Sequence, residues 1–278
     1  MKDSIKNFGV KFASASLLTL ALTSQAQVFT LEDGNSRAQI NAGSSAGMFE
    51  WMVDGQNQLR QQWFWYRVGA TGGESAINTL GLAGFNLSTH PVVTPNQLTL
   101  NYTNAAFNLD LDYVLTGGSV GSGVSTIGEG IRIFNRTATT LSLHLFQYSD
   151  FNLLGTATDS SLALGRNNFN LFNEAFQTDG TTYFAETANS PGANHGQVSA
   201  YPVLLNLLAD GNPTTLNDDG GPLGAGDLTW ALQWDLEIPA NGSVIISKTK
   251  FVTVPEPTSA ALLALGLGAW AIRRRFSK

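Results

Sequence analysis

Apolar residues recur at every second position along much of the chain. Phe107, Leu109, Leu111, Tyr113 and Leu115 alternate with Asn108, Asp110, Asp112 and Val114. Leu228, Trp230, Leu232, Trp234, Leu236 and Ile238 alternate with Thr229, Ala231, Gln233, Asp235 and Glu237. Leu141, Leu143 and Leu145 do the same beside Ser142, His144 and Phe146. A period of two places one set of side chains on one face of an extended strand, so these runs predict half-buried antiparallel strands. Short polar segments separate such runs. Residues 54–57 lie between strands at 48–53 and 59–68, and 103–106 between 98–102 and 107–115. Residues 136–139 lie between 130–135 and 140–149, and 239–242 between the Trp230 strand and 244–252. Each predicts a hairpin. One short helix is expected over 201–209, and 210–227 reads as a long loop. The fold class this implies is all-β, a single large antiparallel β-sandwich.

The two ends do not fit that pattern. Lys2, Lys6 and Lys11 precede an apolar stretch at 13–22, and Ser24-Gln25-Ala26 follows. This is the order of a secretory signal peptide, with signal peptidase cutting between Ala26 and Gln27. The apolar stretch is too short to stay as a membrane span. The body is then 27–253, flanked by the signal at 1–26 and a tail at 254–278. The body carries 19 acidic and 8 basic side chains, a formal charge of −11. Such a surface repels nucleic acid and anionic lipid. The absence of cysteine excludes disulfides, thiolate metal sites and cysteine nucleophiles.

The tail has three parts in sequence: Val254-Pro255-Glu256-Pro257, an uncharged and mostly small or apolar run over 258–272, and a basic cap of Arg273, Arg274 and Arg275 with Lys278. The prolines break regular structure. As a helix the run would be roughly 22 Å long, short of the roughly 30 Å hydrocarbon core unless snorkelling arginines extend it. The basic cap should remain cytoplasmic, leaving the body outside the inner membrane. In its order and residues the tail resembles the PEP-CTERM sorting signal of Gram-negative bacteria. The resemblance implies that Pro255, Glu256 and Pro257 are the recognition motif and that Arg273–Arg275 stop transfer. It also implies an exosortase as processing partner and a final location at the cell surface or in an exopolysaccharide matrix. Gly47-Met48-Phe49-Glu50-Trp51, the 61–67 segment and the 227–235 strand are similar to a group of PEP-CTERM proteins to which no activity is attached.

Little chemistry is legible in the body. His90, His144 and His195 are far apart and form no zinc spacing. There is no Gly-x-Ser-x-Gly elbow, and the glycine-rich 117–123 stretch lacks the lysine of a P-loop. Glu50, Glu129, Asp150, Glu174 and Glu186 are eligible as glycosidase carboxylates by type only. The length and long strands would also suit a super-sandwich like those of sugar mutarotases and some polysaccharide-active enzymes. Asp210, Asp218, Asp219 and Asp227 make the long loop a candidate calcium site, against the plainer reading of solvated turns. Trp51, Trp63, Trp65 and Tyr66 are candidate sugar-stacking residues if one strand face is open, and core if both are covered. The resulting expectation is a non-catalytic, structural or adhesive surface component. The alternatives are a carbohydrate-binding module with an aromatic strand face and a secreted carbohydrate-active enzyme.

Overall fold

The period-two runs pair into two facing sheets in the computed structural model, which describes residues 27–91 and 93–255. Ala26, Glu256, Pro257, Arg273–Arg275 and the proposed membrane helix lie outside the described residues. Six strands come first and all join the first sheet: β1 (Val28–Asp33), β2 (Ser36–Asn41), β3 (Gly47–Val53), β4 (Gln56–Asn57), β5 (Gln61–Val68) and β6 (Ser75–Ala76). The chain then crosses to the second sheet for β7 (Gly81–Ser88), β8 (Gln97–Thr103), β9 (Phe107–Gly117) and β10 (Val124–Asn135). It returns for β11 (Leu141–Asp150) and crosses again for β12 (Ser161–Arg166), β13 (Phe172–Thr178) and β14 (Tyr183–Ser190). β15 (His195–Ala200) and β16 (Leu228–Ile238), separated by the helix α1 (Val203–Ala209), complete the first sheet, and β17 (Ser243–Thr253) enters the second. The first sheet runs β1-β2-β3-β5-β11-β16-β15 and the second β12-β13-β14-β17-β10-β9-β8-β7. Among the described residues no helix is long and apolar enough to cross a membrane.

The alternation sets the core. Leu109, Leu111, Tyr113 and Leu115 of β9 are buried, as are Ile127, Ile131 and Ile133 of β10, while the residues at the alternate positions are half-buried or exposed. Leu143 and Leu145 of β11 and Trp230, Leu232 and Trp234 of β16 supply the facing layer. Fully burying each such side chain contributes about 1.5–3 kcal/mol, so no single strand carries the fold.

The expected hairpins fare unequally. The 103–106 turn does join β8 to β9 antiparallel. The 136–139 and 239–242 segments do not make hairpins: they carry the chain from one sheet to the other, β10 to β11 and β16 to β17. A polar turn specifies reversal, but the buried faces decide the partner. Asn135 ties both corners together, its Nδ2 donating to the carbonyls of Thr139 (2.7 Å), Ile238 (2.9 Å) and Pro239 (3.0 Å). The Asp54-Gly55 reversal is real, with φ of 48° and 80°, but it returns β3 into the two-residue β4. β5 instead meets β3 in parallel, at one point near Gln62, so the sandwich is not wholly antiparallel.

Candidate functional site

The residues singled out from the aromatic block are not surface groups. Trp51, Trp63 and Trp65 are buried, and both faces of β5 are covered. Trp51 Nε1 donates to Ser125 Oγ (3.0 Å) and Trp63 Nε1 to Asn78 Oδ1 (3.2 Å). Trp65 packs edge-on against Tyr148 at 5.9 Å, and half-buried Tyr66 against Phe107 at 5.4 Å. Rings held this way present no flat surface to a sugar. The aromatic content dictates this placement, since such side chains bury 150–250 Å² each and dominate cores.

The four aspartates considered for calcium also have separate tasks. Asp210 accepts the Asn212 N–H (2.8 Å) and Asp219 the Gly221 N–H (3.1 Å), each closing a local turn. Asp218 accepts from His195 and from the Gly196 N–H. Asp227 lies near enough to Asp150 to raise its carboxyl, and its Oδ1 is buried. Among the described residues, no group of three or more His, Asp or Glu converges to hold a metal.

Exposed aromatics occur elsewhere, on the outer face of the second sheet. β17 turns Ile246, Lys248, Lys250 and Val252 inward, which leaves Phe251 outside. β14 turns Phe184 inward and leaves Tyr183 and Ala185 outside. The registers align Ala163 with Phe176, Phe176 with Ala185, and Ala185 with Phe251. Phe176 and Phe251 therefore stand two strands apart, roughly 10 Å, with alanine between them. Tyr183 closes one end. These three rings are 50 %, 41 % and 56 % exposed for Phe176, Phe251 and Tyr183. Together with Ser161 and Thr178 they line a groove of about 410 Å³ that contains no charged side chain. Two aromatic walls over an alanine floor can grip a flat, neutral, amphipathic ring, with the hydroxyls at the rim. Sequence reasoning missed these residues because they lie on three strands and only the registers unite them.

A second polar cluster sits on the outer face of the first sheet. α1 and residues 214–217 cover part of that face, with the Leu216 N–H on Gln233 Oε1 (2.9 Å) and the Asn217 N–H on Gln197 Oε1 (3.1 Å). Beside the cover, the register sets His144 opposite Asp235 and His195 opposite Gln233. Asp235 bridges the two histidines, at 2.6 Å from His144 Nδ1 and 3.3 Å from His195 Nε2. His195 Nδ1 also reaches Asp218 (3.0 Å). Burial opposes ionisation of Asp235, but hydrogen bonds from Gln233 and His144 outweigh it and hold the carboxyl below its usual range. Histidines 51 positions apart in sequence thus share one carboxylate. Asp150 is different: burial, reinforced by Asp227, pushes its carboxyl up to about 7. It has no exposed surface from which to meet a substrate.

Three comparisons bear on this arrangement. Residues 253–275 match the PEP-CTERM protein-sorting motif. The body is similar in structure to a bacterial glucoamylase solved with acarbose, at 13 % identity and a TM-score of 0.58, over 87 % of this chain and 34 % of that one. The chain therefore spans about a third of the glucoamylase. It is also similar to a putative aldose 1-epimerase from Escherichia coli K12, at 12 % identity and a TM-score of 0.51, over 82 % of this chain and 99 % of that one. At such identities the likeness concerns the fold. No curated protein matches the chain in sequence.

Proposed function

Because the chain carries an exosortase sorting motif, it is an exported protein held at the membrane before processing, and we propose that outside the cell its body is a non-catalytic adhesive component that holds polysaccharide. The occupant of the Phe176–Tyr183–Phe251 groove would be a neutral sugar ring stacked between the two phenylalanines. The single observation behind this reading is the exposure of those three rings around Ala185. The sugar-related names of the two structural neighbours agree with it. Ring contacts contribute about 0.5–1.5 kcal/mol each, so three of them give at most about 4.5 kcal/mol, a per-site affinity of roughly 1 mM at best. A polymer offering many rings raises the apparent affinity through repeated engagement.

The test is co-sedimentation and tyrosine/tryptophan fluorescence of the protein with the producer's own exopolysaccharide and with neutral glucans, with and without calcium. Binding should saturate and should fall in Phe176→Ala, Tyr183→Ala and Phe251→Ala. Undiminished binding by the triple variant would remove the groove from the account. A second reading, a sugar-active enzyme, rests on the His144–Asp235–His195 bridge, in which two imidazoles on neighbouring strands share one carboxylate. It requires aldose epimerisation or glycoside cleavage that disappears in Asp235→Asn; the absence of turnover on such substrates would leave the binding role alone.

A further inference from the structure

The sandwich interior holds four charged side chains. Glu129 of β10, Glu186 of β14, and Lys248 and Lys250 of β17 all have side chains at or below 1 % exposure. Lys250 Nζ pairs with Glu129 (2.6 Å) and lies 3.5 Å from Glu186. Lys248 Nζ contacts Glu129 as well, lies 3.6 Å from Glu186, and contacts the side-chain carbonyl of Gln147. Gln147 belongs to β11 in the opposite sheet and is itself fully buried. Its Nε2 donates to both oxygens of Glu186, each at 3.0 Å. The Phe64 ring lies 4.6 Å and the Trp234 ring 5.9 Å from Lys248 Nζ.

We infer that Lys248 and Gln147 are placed to form an intramolecular isopeptide bond that staples the two sheets together. The electrophilic carbon, Gln147 Cδ, is one carbonyl bond (about 1.2 Å) behind the oxygen that the amine already touches. Glu129 takes a proton from the Lys248 ammonium. The free amine attacks Cδ, forming the Nζ–Cδ bond. Glu186 faces both nitrogens, so it accepts the second Nζ proton and delivers it to Nε2. The Cδ–Nε2 bond breaks and ammonia leaves. The products are a secondary amide and ammonia, with one carboxyl left protonated; no oxidant, reductant or cofactor enters. Burial, reinforced by the like charge of Lys250, pushes the Lys248 amine below the ordinary lysine range against the pull of Glu129. Lys250 behaves oppositely: burial opposes its charge, but Glu129 and Glu186 outweigh that and hold it up, so it remains the counter-ion. Aromatic walls keep water from competing as nucleophile. An exported chain without cysteine has no disulfide to serve the same end.

Tryptic digestion of the full chain followed by mass spectrometry decides the matter. Formation of the bond blocks cleavage after Lys248. It yields residues 137–166 linked to residues 167–250, with a mass one ammonia below the sum of the two peptides. Free 137–166 together with cleavage after Lys248, in folded protein held for days at neutral pH, would overturn the inference. Glu186→Gln keeps the size of the shuttle while removing its basicity. It should leave most molecules unlinked with an unchanged circular dichroism spectrum; linkage at the wild-type rate would refute the shuttle. The wild-type digest alone settles the bond, even if Lys248→Arg or Gln147→Asn fails to fold.

Discussion

The two faces of β17 invert the usual arrangement. The inner face carries Lys248 and Lys250, and the outer face carries Ile245 and Phe251, each 40–55 % exposed. On β9, the third strand from the β7 edge, the ordinary order holds: Leu109, Leu111 and Leu115 inside, Asp110 and Asp112 on the opposite face. Alternation reveals which residues share a face, but the side chains opposite decide which face is inside. The lysines can be inside because Glu129 and Glu186 meet them there. Phe251 can be outside because Phe176, Ala185 and Tyr183 make a common surface with it. An unpaired buried charge is far more costly than a solvated aromatic ring, so the two departures differ greatly in what depends on them.

The sharpest way to break the comparison is to change neighbouring residues on β17. Lys250→Met removes the ammonium that serves as counter-ion to the buried Glu129 and Glu186 carboxyls and should cost about 3–5 kcal/mol in chemical denaturation. Phe251→Ala, one residue away, should change stability by no more than about 0.5 kcal/mol. Equal costs would mean that the inside and outside of the strand have been confused.

An effect of comparable size concerns two aspartates whose side chains are fully buried. Burial pushes Asp150 and Asp159 up to about 7. The folded state therefore binds more protons than the unfolded state between about pH 4 and pH 7, and stability falls as pH rises through that window. Each group contributes a slope of up to about 1.4 kcal/mol per pH unit, flat above pH 7. Glu129 and Asp235 act in the opposite sense, because their folded carboxyls are lowered, and their contribution is lost in more acid solution. Denaturation at pH 5 and pH 8 should show the protein more stable at pH 5, with the difference halved in Asp159→Asn.

The smallest expected change is in the groove itself. Phe176→Ala should leave the melting temperature within the scatter of surface substitutions while weakening polysaccharide binding by up to about tenfold. A stability loss as large as that of Lys250→Met would make the groove part of the core rather than a binding surface.

Much of the sandwich was legible from single strands. The runs at 107–115, 141–145 and 228–238 fall within β9, β11 and β16, and the short helix lies inside its expected span. Which strands become neighbours was less legible, because the turns at 136–139 and 239–242 have hairpin chemistry yet join different sheets. The groove was hidden for the same reason: Phe176, Tyr183 and Phe251 meet only through the β13–β14–β17 registers. The buried charges did leave a trace. Glu129 is in phase with Ile127, Ile131 and Ile133, and Lys248 and Lys250 are in phase with Ile246 and Val252. A charged residue in phase with an apolar run, on two strands with opposite signs, is a readable sign of an interior ion cluster. The Trp63–Tyr66 block follows the second of its two readings, since concentration of aromatics in one strand marks a core position.

β17 has one further consequence. It lies between β14 and β10, pairs with β10 along its whole length, and ends at Thr253, where the sorting motif begins. Tension directed along β17 from its C-terminal end would act on an interior strand. The ladder bonds on both flanks lie across that direction, so they must be sheared together rather than peeled in turn. An edge strand in the same place would unzip under a light pull. The body is therefore joined to its tail through an interior strand rather than through a sheet edge.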